Sequence, residues 1–215
     1  MDGPDKPGHD GIPILRVCLL GVVTALLWLT PAHAQDASTR TAAELMDAVM
    51  WGKEPIGGPF KLIDTEGRER TNDEFRGRLM LVYFGFTSCP DICPTDLQAM
   101  GLALDGLGEA AGGVQPIFVT LDPERDSREY LAEYVKMFHP KLIGLTGDKT
   151  AIAAAAAAYR VYHAKTQTGD GLGYTIDHSS FVYLMGRNGE YLGIFPPGTP
   201  PERMVAAIKS QLTAR

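Results

Sequence analysis

Two cysteines four positions apart, Cys89 and Cys93, are the residues of this 215-residue sequence best suited to chemistry. Their thiolate forms bind soft metal ions and attack disulfides. A disulfide between them would be a poor structural crosslink, because closing so short a loop removes little entropy from the unfolded chain. The spacing therefore indicates metal binding or redox chemistry. The alternative is that both are simply small buried side chains.

The segments around the cysteines place them at the junction of a strand and a helix. Leu79–Phe86 is a continuous apolar run typical of a central strand, and a helix is predicted from about Pro94 to Ala110. Ligands of open α/β sheets gather at the carboxyl ends of strands. Because a helix N-terminus favours negative charge, we expect the pKa of both thiols to fall.

A third ligand must come from elsewhere in the chain. Structural zinc usually takes four protein ligands, whereas two thiolates and one further ligand suit Cu(I). His139 precedes a proline at a predicted helix end, and His163 lies in a predicted short strand. We expect His178, in a loop before a later strand, to face the cysteines, and the alternative is a loop histidine bonded to backbone. Asp177 either orients this imidazole or caps its own turn.

The order of the predicted elements indicates an α/β fold. A hairpin around residues 60–68 comes first, and strands then alternate with helices. A second hairpin turns at Arg187–Glu190, before a last helix that begins at Pro200–Pro201. We therefore expect a central mixed sheet flanked by helices, with an N-terminal hairpin and a C-terminal β-hairpin plus helix.

The first residues have the pattern of an export signal. Val17–Leu29 is apolar except for Gly21 and Thr24, and small residues suited to cleavage follow at positions 32 and 34. We expect residues 1–34 to be a signal peptide, or alternatively an N-terminal membrane anchor. Residues 35–56 would be a leader and residues 57–215 the folded domain, which would be exported.

Composition limits the classes of partner. Apolar residues make up 45% of the chain, which is enough for a sizeable core. The net charge is −6, from 20 basic and 26 acidic residues, and no Lys/Arg cluster stands out. These features argue against a nucleic-acid-binding protein. We expect a monomer.

Three segments of the sequence together resemble the motifs of the Sco/SenC copper chaperones. The first is Tyr83–Thr95, which contains both cysteines, and the second is Val119–Asp126. The third combines Asp177–Ser179 with Tyr183–Met185. The resemblance extends from about Gly57 to Leu212, so it covers nearly the whole predicted domain.

The resemblance implies a thioredoxin-like fold and a periplasmic location, soluble or anchored to the inner membrane. It also implies a copper ion, Cu(I) or Cu(II), bound by Cys89, Cys93 and His178. Members of this family assist assembly of the dinuclear copper site in subunit two of cytochrome c oxidase. They hand over copper, reduce the cysteines of the target, or do both. The expected partners are therefore that subunit and a periplasmic copper donor.

Two other functions remain as alternatives. A periplasmic thiol–disulfide oxidoreductase would use Cys89 and Cys93 as its redox pair, although such enzymes favour C-x-x-C spacing and would leave His178 without a role. A peroxidase of the same fold would have Thr three residues before the attacking cysteine, where this sequence has Phe86. We therefore rank the peroxidase last.

Asp122, Arg125 and Asp126 belong to the second of the three segments and have no evident chemical role. An Asp-Pro step after a strand is a common turn, and an Arg–carboxylate pair is an ordinary surface feature. A structural role is therefore our main interpretation. Docking of a partner, or gating, is the alternative.

Overall fold

The structure, a computed structural model, describes residues 55–169 and 173–213. Within these ranges the chain forms nine strands and four α-helices, and 3₁₀ helices cover Asn72–Phe75 and Gly108–Gly113. The strands are β1 (Lys61–Asp64), β2 (Glu69–Thr71), β3 (Leu79–Gly85), β4 (Val114–Thr120), β5 (Ile143–Thr146), β6 (His163–Gln167), β7 (Tyr174–His178), β8 (Val182–Met185) and β9 (Tyr191–Phe195). The helices are α1 (Ile92–Leu107), α2 (Arg128–Lys136), α3 (Lys149–Ala158) and α4 (Pro201–Thr213).

Seven of the strands form one mixed sheet in the order β2-β1-β5-β4-β3-β8-β9. Strands β3, β4 and β5 are parallel, whereas β1 and β8 join them antiparallel. Every residue of β3 and β4 is buried, which explains why their sequences are almost continuously apolar. Because these two strands are parallel neighbours, their carboxyl ends meet at the same edge of the sheet.

Strands β6 and β7 form a separate two-stranded antiparallel sheet, here called the β6–β7 hairpin. His163 lies opposite His178 in its register. The prediction that His178 lies in a loop is therefore wrong, because it is the last residue of β7. The strand signal was weak because most residues of β6 are exposed and polar, and in β7 Ile176 alone is fully buried.

Several elements begin or end at residues whose side chains or backbone conformation suit that position. The Ser127 side chain accepts a hydrogen bond from the Tyr130 N–H at 3.2 Å, and Asp148 accepts one from the Ala151 N–H at 2.7 Å. Both residues therefore cap the helices that follow them. The turn between β8 and β9 is confirmed, and Gly189 adopts a left-handed φ of +85° there, which glycine reaches without steric cost.

Two expectations about the chain termini lie largely outside the described residues. The structure does not describe residues 1–54, which include the predicted signal peptide (residues 1–34) and almost all of the predicted leader (residues 35–56). Both boundaries therefore stay predictions. Among residues 55–169 and 173–213, no helix is both long enough and apolar enough to cross a bilayer.

Gly85, the last residue of β3, lies directly against the side chain of Cys93. A Cβ at this position would lie 2.9 Å from Cys93 Sγ and 3.0–3.1 Å from ring atoms of Tyr83 and Phe118. We predict that Gly85→Ala lowers the free energy of unfolding by about 1–3 kcal/mol, because the methyl group overpacks a filled core. Urea unfolding provides the measurement.

Gly193→Ala on β9 is the matched control for this prediction. A Cβ at Gly193 would meet no atom within 4 Å, so its effect should stay within about 0.5 kcal/mol. Equal losses of stability in the two variants would contradict the close approach at Gly85.

Candidate metal centre

Residues 86–91, here called the cysteine loop, lead from β3 into α1. The Cys89 N–H donates to the Phe86 carbonyl at 3.2 Å, and the Cys93 N–H donates to Cys89 Sγ at 3.4 Å. Cys93, the second residue of α1, is fully buried, whereas Cys89 is half-buried. The turn and the start of the helix together bring the two sulfurs to one side of the loop.

His178 reaches the same place from the end of β7, 85 residues further along the chain than Cys93. Its Nε2 atom lies 3.4 Å from Cys93 Sγ. The ring also makes edge-on contacts with Phe86 and Tyr83, at centroid distances of 5.8 Å and 6.3 Å. Ligand atoms of Cys89, Cys93 and His178 all lie within 4.8 Å of one another, so the structure brings the three predicted residues together.

The backbone sets the orientation of the His178 ring. Its Nδ1 atom lies 3.2 Å from the Ser179 carbonyl oxygen, which can only accept a hydrogen bond. The proton is therefore placed on Nδ1, and the lone pair of Nε2 is directed at the sulfurs. Asp177 does not orient the ring, because its carboxylate accepts a hydrogen bond from Thr166 at 2.8 Å. Adjacent residues of a strand point to opposite faces, which separates Asp177 from the site.

Hydrogen bonds to the Cys89 sulfur lower its pKa to about 4. The largest contribution comes from the Cys93 thiol, which donates to the Cys89 thiolate. Hydrogen bonds from the backbone N–H groups of Asp91 and Cys93 lower the pKa further. Together they outweigh the effect of burial, so Cys89 is a thiolate at neutral pH.

The pKa of the Cys93 thiol rises, so the expectation that both values fall is wrong for this residue. The Cys93 proton is shared with the Cys89 thiolate, and the side chain is buried away from water. A second negative charge beside the first would be both repelled and poorly solvated. The metal-free pair therefore carries one negative charge, and binding of a metal ion by both sulfurs must displace the Cys93 proton.

The other histidines of the described chain lie outside this group. His139 Nδ1 accepts a hydrogen bond from the Lys141 N–H at 3.1 Å, and its Nε2 lies 3.6 Å from Asp105. This agrees with a role at a helix end. His163 is in register with His178, yet it does not belong to the group of ligand atoms.

Two buried polar residues beside the cysteines were missed by the sequence analysis. Asp96 is only 1% exposed, accepts a hydrogen bond from the Gly198 N–H at 2.9 Å, and has a raised pKa because of burial. The Tyr83 hydroxyl is buried near Cys93. Asp96 lies three positions after Cys93 in α1, so helical periodicity could have placed both on the same buried face.

A family model described as SCO1/SenC matches residues 49–213 of this chain. The chain belongs to the SCO1/SenC family. Curated relatives agree with this assignment. An SCO2-like protein of Rickettsia felis is 44% identical over 155 residues, which cover 72% of this chain and 76% of the relative. Protein SCO1 homolog, mitochondrial, of Homo sapiens is 38% identical over 163 residues, which cover 75% of this chain and 54% of the relative.

Solved SCO1/SenC structures have the same fold. ScoI of Arabidopsis thaliana with copper bound has a TM-score of 0.69 and 40% identity, over 73% of this chain and 98% of that one. ScoI of Bradyrhizobium japonicum with copper bound has a TM-score of 0.67 and 41% identity, over 73% of this chain and 99% of that one. The predicted thioredoxin-like fold, with its mixed sheet and its C-terminal hairpin and helix, is therefore confirmed.

The state of the two thiols in this SCO1/SenC chain can be tested by alkylation. In the reduced, metal-free protein, Cys89 should react with iodoacetamide at about pH 6 faster than a free cysteine, because its larger thiolate fraction outweighs the lower nucleophilicity of a low-pKa thiolate. Cys93 should remain unmodified, since its pKa is raised and its side chain is buried. Fragmentation mass spectrometry assigns the modified residue.

A peptide of residues 86–95 is the control, because it has both cysteines but none of the tertiary contacts. Its alkylation rate should rise through the ordinary thiol pKa of about 8.5, whereas the Cys89 rate should be nearly flat between about pH 6 and 8. Identical pH profiles for peptide and protein would contradict the stabilised thiolate.

Proposed function

We propose that this chain binds one copper ion through Cys89, Cys93 and His178 and delivers it for assembly of the dinuclear copper site of cytochrome c oxidase. The observation that carries the proposal is the convergence of these ligand atoms within 4.8 Å from two distant segments. Membership of the SCO1/SenC family and the copper-bound relatives of Arabidopsis and Bradyrhizobium support copper as the metal.

The chemistry of the donor set favours copper over zinc. Two thiolates and an imidazole are soft or intermediate ligands, which suit Cu(I) and also bind Cu(II). Structural zinc sites are closed by four protein ligands. In the described part of the chain, no fourth His, Cys, Asp or Glu completes the group. The site therefore fits an ion that is satisfied by three protein ligands.

The unequal burial of the two cysteines suits a carrier that must release its cargo. Cys93 anchors the site inside the protein, whereas Cys89 is half-buried and can be approached from solvent. A ligand of the recipient can thus reach the ion while it is still bound by the carrier. Copper would move by exchange of ligands, without passing through solution as a free ion.

The partners and the compartment follow from the proposed cargo. The recipient is subunit two of cytochrome c oxidase, and a periplasmic copper donor loads the chain. Residues 1–34 would direct the chain to the periplasm, as a cleaved signal or as an anchor in the inner membrane. The chain would act as a monomer, since it must present one metal site to one recipient at a time.

The low pKa and partial exposure of Cys89 favour thiol–disulfide reduction as the second candidate function. The Cys89 thiolate would attack one sulfur of a target disulfide and release the other as a thiol. Cys93, deprotonated, would then displace the remaining target thiol and form a disulfide with Cys89. The target gains two electrons and two protons, of which the chain supplies both electrons and the Cys93 proton, and the solvent supplies the second proton.

Titration with Cu(I) under a competing chelator tests the proposed ligand set. The reduced domain, residues 55–215, should bind one ion per chain. His178→Ala should lower the affinity by more than the roughly 10- to 100-fold loss that follows removal of an outer-shell partner, because it removes a ligand itself. Affinity equal to wild type in His178→Ala would exclude this residue as a ligand.

His163→Ala is the matched control for this titration. His163 lies opposite His178 in the same hairpin but outside the ligand group, so its loss should leave the affinity unchanged. A similar loss in both variants would mean that the hairpin, rather than the imidazole of His178, is what copper binding requires.

Transfer to a purified copper domain of oxidase subunit two separates the two candidate functions. We predict that copper-loaded wild type metallates the reduced target, whereas His178→Ala transfers little copper. The same variant keeps both thiols, so it should still reduce the oxidised target if the chain is a reductase. Metallation by His178→Ala at the wild-type rate would contradict the carrier mechanism, and absence of any disulfide reduction by wild type would contradict the second candidate.

A further inference from the structure

The segment Asp122–Asp126, here called the bridging turn, follows β4 and contacts both parts of the chain that carry the site. Its backbone is closed by the Arg125 and Asp126 N–H groups, which donate to the Asp122 carbonyl at 3.2 Å and 2.9 Å. Consecutive side chains of such a tight turn point in different directions. Arg125 and Asp126, although adjacent, can therefore contact different elements.

Arg125 holds the first residue of β7. Its Nη1 donates to the Tyr174 carbonyl at 2.8 Å, and its guanidinium lies 3.9 Å from the centroid of the Tyr174 ring. The same guanidinium forms an ion pair with the buried Asp122 carboxylate, which also accepts a hydrogen bond from the Tyr174 hydroxyl at 2.8 Å. Arg125, Asp122 and Tyr174 thus form a closed triangle of contacts.

Tyr174 and His178 are the two ends of one short strand. They lie four residues apart in β7, so both side chains point to the face that also buries Ile176. A strand is a stiff connection, so fixing its first residue restricts where its last residue can lie. Arg125 also lies 5.8 Å from the ring of Phe86, which itself packs edge-on against His178.

Asp126 holds the cysteine loop in the same way. Its carboxylate, only 1% exposed, accepts hydrogen bonds from both the N–H and the hydroxyl of Thr87, and one from the Thr120 hydroxyl at the end of β4. Thr87 lies two residues before Cys89. The start of the cysteine loop is thereby fixed to the carboxyl end of β4.

We propose that the bridging turn sets the separation of the two halves of the metal centre, with Arg125 positioning His178 and Asp126 positioning the cysteines. The inference rests on the proposed function for the identity of the metal ligands. Docking of a partner fits the geometry less well, because Asp122 and Asp126 are buried and fully engaged within the chain. These are positioning residues, since none of them contacts the ligand atoms.

The first test measures Cu(I) affinity of Arg125→Gln and Tyr174→Phe in the reduced full-length chain. We expect Arg125→Gln to lose about 10- to 100-fold in affinity, as outer-shell partners do, and Tyr174→Phe to lose less, because it removes only the contacts of the hydroxyl group and keeps the ring. Lys149→Gln is the matched control, since it removes a cation that pairs with Glu124 of the same turn but does not touch β7. Wild-type affinity in both Arg125→Gln and Tyr174→Phe would overturn the inference.

The second test combines the variants. If Arg125 acts through His178, Arg125→Gln should cause no further loss of affinity in a His178→Ala background. Asp126→Asn should weaken binding in both backgrounds, because it acts through the cysteines. A loss from Arg125→Gln that is the same with and without His178 would overturn the assignment of Arg125 to the hairpin.

The third test needs no metal and so does not depend on the proposed function. Amide hydrogen exchange of β7 should be faster in Arg125→Gln than in wild type, whereas exchange in β3 should be unchanged. Unchanged exchange in β7 would overturn the inference. The two ideas can fail separately. If His178→Ala bound copper like wild type while Arg125→Gln still increased amide exchange in β7, the proposed function would be wrong but the positioning of the β6–β7 hairpin by Arg125 would be supported. If Arg125→Gln does not fold, the same exchange measurement on Tyr174→Phe replaces it, and unchanged exchange in β7 of that variant would overturn the inference.

Discussion

The central constraint on this protein is that one ligand set must be assembled from two segments that are distant in the chain. Cys89 and Cys93 lie within five residues, but His178 lies 85 residues beyond Cys93, and its imidazole nitrogen still comes within 3.4 Å of the Cys93 sulfur. Short-range geometry cannot produce this contact. It depends on the end of β3, the start of α1 and the β6–β7 hairpin being fixed relative to one another. The buried carboxylates of Asp122 and Asp126 accept hydrogen bonds from residues of these elements and of β4.

The proximity of the two sulfurs also determines their charge. A helix N-terminus and several N–H groups can stabilise one thiolate, and Cys89 takes that role because it is nearer to solvent. Cys93 is buried and its thiol donates a hydrogen bond to the Cys89 thiolate, so its own ionisation is opposed by both desolvation and repulsion. A cation placed between the sulfurs reverses both effects, since it compensates the charge that the protein alone cannot. The metal-free site is therefore prepared for a cation, and proton release accompanies its binding.

The features that depend on local sequence were predictable, and those that depend on long-range pairing were less so. The apolar run of β3, the capping residues Ser127 and Asp148, and the turn at Gly189 each carry their signal within a few residues. The convergence of Cys89, Cys93 and His178 was also predicted, from the expected placement of His178 opposite the cysteines and from the resemblance to the Sco/SenC motifs. The strand character of His178 was missed, since it arises from pairing with β6 rather than from composition. The rise in the Cys93 pKa was missed for the same reason, because it depends on burial and on a neighbouring charge.

The structural features that make Cys89 and Cys93 good ligands also make them a good redox pair, so the cysteines alone do not separate a carrier from a reductase. An accessible thiolate beside a buried thiol is what attack on a disulfide and resolution of the mixed disulfide require. His178 adds what the cysteines alone do not supply, a nitrogen ligand beside both sulfurs. Its Nε2 lone pair is directed at the sulfurs by the Ser179 carbonyl, and Nε2 lies 3.4 Å from Cys93 Sγ. At the other end of β7, the Arg125 guanidinium pairs with the buried Asp122 carboxylate and donates to the Tyr174 carbonyl. These contacts restrict the position of the strand that carries His178. An imidazole held this close to two sulfurs completes a three-ligand group, which is what binding of a soft cation requires.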